Sequence, residues 1–223
     1  TPLSDTVIYR LHVRGFTKHA SSGVKHKGTF GGVIEKIPYL KELGVTMVEL
    51  TVPTDFYEVP PVREDREAGE SAPAGRPSAV LPAQQPRVNY WGYGPALALA
   101  PKASYADKGA GADIRFKELV KALHENGLEI AVELYFEPGL ATAFQLDCLH
   151  YWAYEYHVDG IHGAGDFDSQ AALRDPALSQ VKLFSGDMPQ DAGGLTAGYR
   201  DDFQNDMRRF LKGDEDCLRS VAY

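Results

Sequence analysis

Glu133, Tyr135 and Glu137 fall on one face of an extended segment, with Leu134 and Phe136 on the other. A face that carries two carboxylates and a phenol could line a cleft. The same pattern fits a polar interior in which Arg10, His12 or water satisfies the charges, and the residues alone leave both readings open. His162 together with the two glutamates has the ligand types of a metal site, but no spacing that defines one, so no metal or other cofactor is expected. Cys148 and Cys217 form no CxxC or zinc-like pattern, which fits a reduced intracellular chain; one long-range disulfide is the alternative. No GxGxxG follows the first strand, the run Gly28-Thr29-Phe30-Gly31-Gly32 does not match it, and a P-loop is absent.

The elements that must position these groups occupy 223 residues, enough for one sizeable core and more consistent with one domain than two. A net charge of -8 argues against nucleic acid and anionic membranes as partners, since either needs clustered Lys and Arg. No apolar run approaches a membrane span, and the absence of a signal peptide points to the cytoplasm, although the chain begins at Thr1 without Met. Aromatics are abundant (12 Tyr, 10 Phe, 2 Trp), which suits a sugar-binding cleft and equally a filled core.

Strands are expected at residues 7–13, 45–52, 128–136, 158–164 and 181–185, with a weaker sixth at 194–199. Helices are expected at 33–43, from a cap at Asp113 through Phe116, Leu119, Val120 and Leu123, and at 144–156 and 203–211. Residues 60–86 change sharply to Pro, Ala, Glu, Arg and Ser and are expected to form a flexible surface insertion within the single domain spanning 1–223. Alternating strands and helices imply βαβ units and a parallel sheet, which periodicity alone cannot assign to a barrel or a doubly wound fold.

Several stretches in order resemble the α-amylase superfamily of glycoside hydrolases, in its pullulanase, isoamylase and glycogen-debranching branch. They are Val7-Ile8-Tyr9-Arg10-Leu11-His12-Val13-Arg14-Gly15-Phe16, Lys27-Gly28-Thr29-Phe30-Gly31-Gly32 and Ile37-Pro38-Tyr39-Leu40-Lys41-Glu42-Leu43-Gly44. Asn89-Tyr90-Trp91-Gly92-Tyr93, Ala100-Pro101-Lys102-Ala103-Ser104-Tyr105 and Phe116-Lys117-Glu118-Leu119-Val120 follow. Glu155-Tyr156-His157-Val158-Asp159-Gly160, Leu178-Ser179-Gln180-Val181-Lys182-Leu183 and Asp206-Met207-Arg208-Arg209-Phe210-Leu211 complete the series. The resemblance implies a (β/α) TIM-type barrel, of which the chain supplies about six of the eight strands, with the site at their C-terminal ends. It also implies retaining chemistry on α-glucans, which needs a carboxylate nucleophile and a second carboxyl as acid/base.

At the positions that match the family's catalytic motifs the residue types have changed. The third-strand Asp-x-x-x-Asn-His pattern falls on Glu133, Glu137 and Pro138, and proline has no side-chain donor for a sugar hydroxyl. The fourth-strand Gly-Phe-Arg-Phe-Asp pattern falls on Gly160-Ile161-His162-Gly163-Ala164, so Ala164 stands at the nucleophile and His162 at the arginine. The fifth-strand acid/base position is Gly186. The seventh-strand His-Asp pair of the family would lie beyond Tyr223. A shifted site would use Asp166 as nucleophile and Asp187 as acid. Asp187, however, has the opposite strand parity to Gly186, and Asp166 stands about 6 to 7 Å beyond Ala164 in extended chain.

The resemblance makes Tyr93 the leading sugar-stacking residue, with Trp91 and Tyr135 beside it. The expectation is thus an α-glucan- or maltooligosaccharide-binding domain that does not hydrolyse. The alternatives are a weak debranching-type hydrolase and a ligand-free structural remnant in an oligomer. A homo-oligomer or a further C-terminal segment is expected to cover the strands that the chain does not supply.

Overall fold

Each expected strand becomes a strand of one sheet, and the pattern of buried residues shows why. In the computed structural model, which describes residues 1–59, 88–107, 109–189 and 194–214, a six-stranded sheet has the order β1-β2-β5-β6-β7-β8. The strands are β1 (Ile8–Leu11), β2 (Met47–Leu50), β5 (Glu129–Phe136), β6 (Gly160–Gly165), β7 (Lys182–Ser185) and β8 (Thr196–Gly198), and every neighbouring pair is parallel. Val48 and Leu50, with Ile130, Val132, Leu134, Ile161 and Leu183, pack into the large core beneath the helices. The alternate residues Met47, Ala131 and Phe184 form a second, smaller cluster on the other face. A sheet buried on both sides gives strands without a solvent face, as β2 and β7 show throughout.

The sheet is curled. Five strand spacings laid flat would separate β1 from β8 by about 24 Å. Instead the Arg10 guanidinium on β1 lies 5.8 Å from the ring of Tyr199, which directly follows β8. The face bearing Met47, Ala131 and Phe184 is therefore the interior of a partial barrel, and the helices form its outer layer. That is the (β/α)-barrel architecture, with six parallel strands present.

The outer layer contains α2 (Phe30–Glu35), α3 (Ile37–Glu42), α4 (Ala112–Glu125), α5 (Thr142–Glu155) and α6 (Ser169–Arg174), and α7 (Asp201–Lys212) closes the described chain. In α4, Phe116, Leu119, Val120 and Leu123 recur at helical spacing and are all buried. Phe116 meets Trp152 and Tyr156 of the α5 region edge-on at 5.1 Å each, which locks the two helices together.

Three expectations are corrected, and one element is added to them. Gly111, not Asp113, is the N-cap of α4, and Asp113 sits in its first turn, where its charge still favours the helix dipole. The expected helix at 33–43 is two helices, because Lys36 leaves helical geometry (ψ 0°) and Pro38 starts α3. The first strand stops at Leu11 because His12 caps the short helix α1 (Val13–Thr17), its Nδ1 accepting from the Gly15 amide at 2.9 Å. A two-stranded antiparallel ribbon, β3 (Thr54–Phe56) with β4 (Ala96–Pro101), was not expected. Buried Lys102 ties it down by donating to Asp55 at 3.0 Å and to the Phe56 carbonyl at 2.6 Å. The insertion at 60–86 and Cys217 lie outside the described residues; Cys148 is buried in α5, where burial pushes its thiol up to about 11.

Candidate functional site

The interior positions of the first strands carry charge where a barrel usually carries aliphatic layers. Glu49 of β2, Glu133 of β5 and His162 of β6 all point inward, with 0%, 1% and 6% of their surfaces exposed. Glu133 and His162 are register partners on adjacent strands, and Glu49 pairs with Ala131, one inward step below Glu133. Buried carboxylates persist only with partners, since burial alone would cost several kcal/mol each. Arg10 supplies the first: its Nη2 donates to Glu133 Oε2 at 2.6 Å, and its Nε lies 3.3 Å from Glu49 Oε1. Burial works against the Arg10 charge, but Glu133 and then Glu49 outweigh it and hold the guanidinium above its ordinary value. His162 Nδ1 lies 2.9 Å from Glu49 Oε1.

Two tyrosines finish the network. Tyr199 donates to Glu49 Oε2 at 2.8 Å, and Tyr93 donates to Glu133 Oε1 at 2.9 Å. Burial and the adjacent Glu133 charge push the Tyr93 phenol up to about 12, because both disfavour a second anion. Tyr199 is raised by burial first and by Glu49 second. Arg10 thus meets Glu133, as expected of a polar interior, but His12 does not. Its Nδ1 is taken by the α1 cap, so Nε2 carries the proton and donates to the Tyr90 carbonyl at 2.8 Å. Burial holds His12 below its ordinary value, consistent with that neutral tautomer.

His12 thereby positions the aromatic turn. Tyr90 stacks on it at 4.2 Å, and Trp91 meets it edge-on at 5.7 Å. Gly92 at φ 86° is required, since a Cβ there would lie 2.6 Å from the Phe56 ring. The turn presents Trp91 and Tyr93 with 54% and 43% of their surfaces exposed, and Tyr93 meets Tyr135 edge-on at 5.4 Å. Trp91 and Tyr93, with Arg10, Tyr9 and Phe16, border a pocket of about 690 Å³, within the range of ligand pockets; Tyr135 stands behind Tyr93, outside this lining.

The rim is different. Ala164 lies beside Tyr135 in register, half-buried at the end of β6. The next residue, Gly165, has φ 75°, and a Cβ there would strike the Phe136 carbonyl at 2.2 Å. The chain turns away at this glycine. Asp166 follows it outward, is exposed, and accepts from the Gly139 amide at 3.1 Å in a separate hollow with Thr142, Gln145 and Asp168. Gly186 and Asp187 are exposed beyond β7, and Glu137 is half-buried at the end of β5. No described hydrogen bond or ion pair joins Asp166, Asp187 or Glu137 to the Glu49–Glu133–His162 cluster. The structure therefore gathers Tyr93, Tyr135, Glu133 and His162 around one centre and leaves the two fallback aspartates outside it.

Glu49 and Tyr199 were missed by sequence reasoning. The signal for Glu49 was a lone charge in the apolar run of residues 45–52, which in a doubly buried strand must meet a counter-charge. Tyr199 had no local signal.

Parallel strands curled around a polar interior, with an aromatic turn at one mouth, define a (β/α)-barrel protein. Comparison with known proteins narrows that class. No family model matches the chain. Rice (Oryza sativa subsp. japonica) chloroplastic isoamylase 1 is 30% identical over 84% of this chain and 27% of its own length. The pullulanase of Bacillus subtilis (strain 168) is 28% identical over 78% of this chain and 29% of its own. Among solved structures, pullulanase from Anoxybacillus sp. LM18-11 complexed with maltotetraose superposes over 100% of this chain and 42% of its own, with TM-score 0.71 at 21% identity. The chain belongs to the α-amylase superfamily, in its pullulanase, isoamylase and glycogen-debranching branch. It spans about a third of the length of the relatives it matches.

Proposed function

We propose that this chain is an α-glucan-binding barrel domain that does not hydrolyse its ligand. The observation that carries the reading is the pair Ala164 and Gly186, which stand without carboxylates at the ends of β6 and β7. A retaining glycosidase needs one carboxyl to form the glycosyl-enzyme bond and another to protonate the leaving oxygen. Losing one member of such a unit removes most of the rate, and here both positions are empty of acid. The remaining carboxylates do not replace them: Glu49 and Glu133 are occupied by Arg10, Tyr93 and Tyr199.

Binding rests on Tyr93, Trp91 and Tyr135. The exposed rings of Trp91 and Tyr93 border a pocket, and half-buried Tyr135 meets Tyr93 edge-on; such rings suit the apolar C–H faces of glucose units. That the Anoxybacillus pullulanase structure holds maltotetraose supports an α-glucan as the ligand class. With only one to three rings engaged, affinity for a short maltooligosaccharide is on the order of millimolar. Affinity electrophoresis in glycogen and pullulan gels tests the proposal. Retardation that Trp91→Ala weakens supports it, and unretarded migration of the wild-type chain would leave only a structural role.

A further inference from the structure

We propose that Glu49, Glu133 and His162 form a binding site for one divalent transition-metal ion, and that Arg10 is the cation that fills the site when the metal is absent. One ligand atom from each of the three residues lies within 4.8 Å of the others, and all three side chains are buried. They stand on β2, β5 and β6, neighbours in the sheet, so backbone hydrogen bonding fixes their relative positions.

The orientation of the carboxylates carries the proposal furthest. Each has one oxygen held by a phenol, Glu49 Oε2 by Tyr199 and Glu133 Oε1 by Tyr93. The other oxygens, Glu49 Oε1 and Glu133 Oε2, turn toward a shared centre, where His162 Nδ1 also lies. Ligands held from outside by hydrogen-bonding groups are the usual architecture around a protein-bound metal. What occupies the centre is the edge of the Arg10 guanidinium, which bridges the two free oxygens at 2.6 and 3.3 Å.

Charge supports the same assignment. Two carboxylates and one guanidinium leave the cluster at a net charge of -1 with the imidazole neutral. A divalent ion in place of Arg10 brings it to zero. Arg10 can leave, because its side chain is 36% exposed and borders the open pocket. An ion bound at about 2.0 to 2.2 Å from each ligand needs the three atoms roughly 3 to 3.5 Å apart. Glu49 Oε1 and His162 Nδ1 are 2.9 Å apart with the Nδ1 proton between them; metal binding takes the place of that proton, which moves to Nε2 of the neutral ring, and the rest is within reach of side-chain rotation. Two carboxylate oxygens with one imidazole nitrogen favour zinc, cobalt, manganese or ferrous iron over calcium or magnesium, which take oxygen ligands. The site is independent of whether the cleft binds glucan.

The test uses the full chain, stripped with a chelator and titrated with Co²⁺ alone and, separately, with Zn²⁺ alone. The expected result is one equivalent bound, with visible Co²⁺ absorption bands that Zn²⁺ displaces. His162→Ala keeps both Arg10 ion pairs and is expected to weaken binding at least tenfold. Arg10→Met removes the competing cation and is expected to tighten binding at least tenfold, with a melting temperature that Co²⁺ raises more than in wild type. Should Arg10→Met fail to fold, the comparison of wild type with His162→Ala and Glu133→Gln decides alone. Absence of saturable binding to the wild type would overturn the proposal. So would Co²⁺ binding that His162→Ala and Glu133→Gln both leave unchanged, since the ion would then sit elsewhere on the chain.

Discussion

The middle of the barrel and its rim treat carboxylates in opposite ways. Midway along the strands, Glu49 and Glu133 are buried, and each accepts from a tyrosine and meets Arg10. At the strand ends, Asp166 and Asp187 are exposed, and the inward positions belong to Ala164 and Gly186. Depth explains the contrast. An unpaired charge in the sheet interior costs several kcal/mol, so buried Glu49 and Glu133 depend on a nearby cation, which here is Arg10. A rim residue is replaceable because water satisfies whatever stands there. A rim without carboxylates at its inward positions can therefore coexist with an intact interior.

The comparison breaks most visibly at Arg10. Arg10→Met leaves two buried carboxylates without their cation and is expected to lower stability by about 3 to 5 kcal/mol, as read from urea denaturation. A loss under about 1 kcal/mol would mean that the interior is wet and the contrast with the rim false. Tyr93→Phe comes next. It removes the hydrogen bond to Glu133 while keeping the ring, so stability should fall by about 1 to 2 kcal/mol with glucan binding retained. Tyr93→Ala should in addition lower maltooligosaccharide affinity several-fold, by calorimetry; equal binding by all three proteins would remove Tyr93 from the cleft.

Glu58 offers a pH-dependent case between the two extremes. Its hydrogen bonds from Arg14, at 2.8 and 3.1 Å, and from Ser104 hold its carboxyl at about 2, below an ordinary value of 4.5. The folded value is the lower one, so this stabilisation is complete above pH about 4.5 and is lost as the pH falls toward 2. Partial solvent exposure reduces it to the order of 1 kcal/mol. Glu58→Gln should flatten the stability–pH curve in that window, and an unchanged curve would show that the pair is solvent-screened. The smallest effect belongs to the rim: Asp166→Asn and Asp187→Asn should each change stability by less than about 0.5 kcal/mol in the same urea assay.

Much of the fold was legible because its signals are local. The spacing of Phe116, Leu119, Val120 and Leu123 needs only a helix to make sense, and the apolar run before Glu133 needs only a buried strand. The half of the site on β5 and β6 was legible through the family resemblance. The β3–β4 ribbon was not, since Ala96, Ala98 and Ala100 carry little strand preference and the pairing spans the 60–86 segment. Glu49 meeting His162, and Arg10 approaching Tyr199, depend on register and curl across strands far apart in sequence. His12 was misjudged because a cap and an inward-facing polar residue look alike until the strand's end is fixed.

The central claim, a glucan-family barrel without hydrolysis, is tested most directly by reducing-end release. The purified chain is incubated with pullulan, glycogen and amylopectin beside a buffer control and beside Asp166→Ala and Asp187→Ala variants. The account predicts that all three proteins match buffer, because Ala164 and Gly186 supply neither nucleophile nor acid. Turnover by the wild-type chain that either alanine variant abolishes would contradict it, and would move the catalytic carboxylates onto the rim.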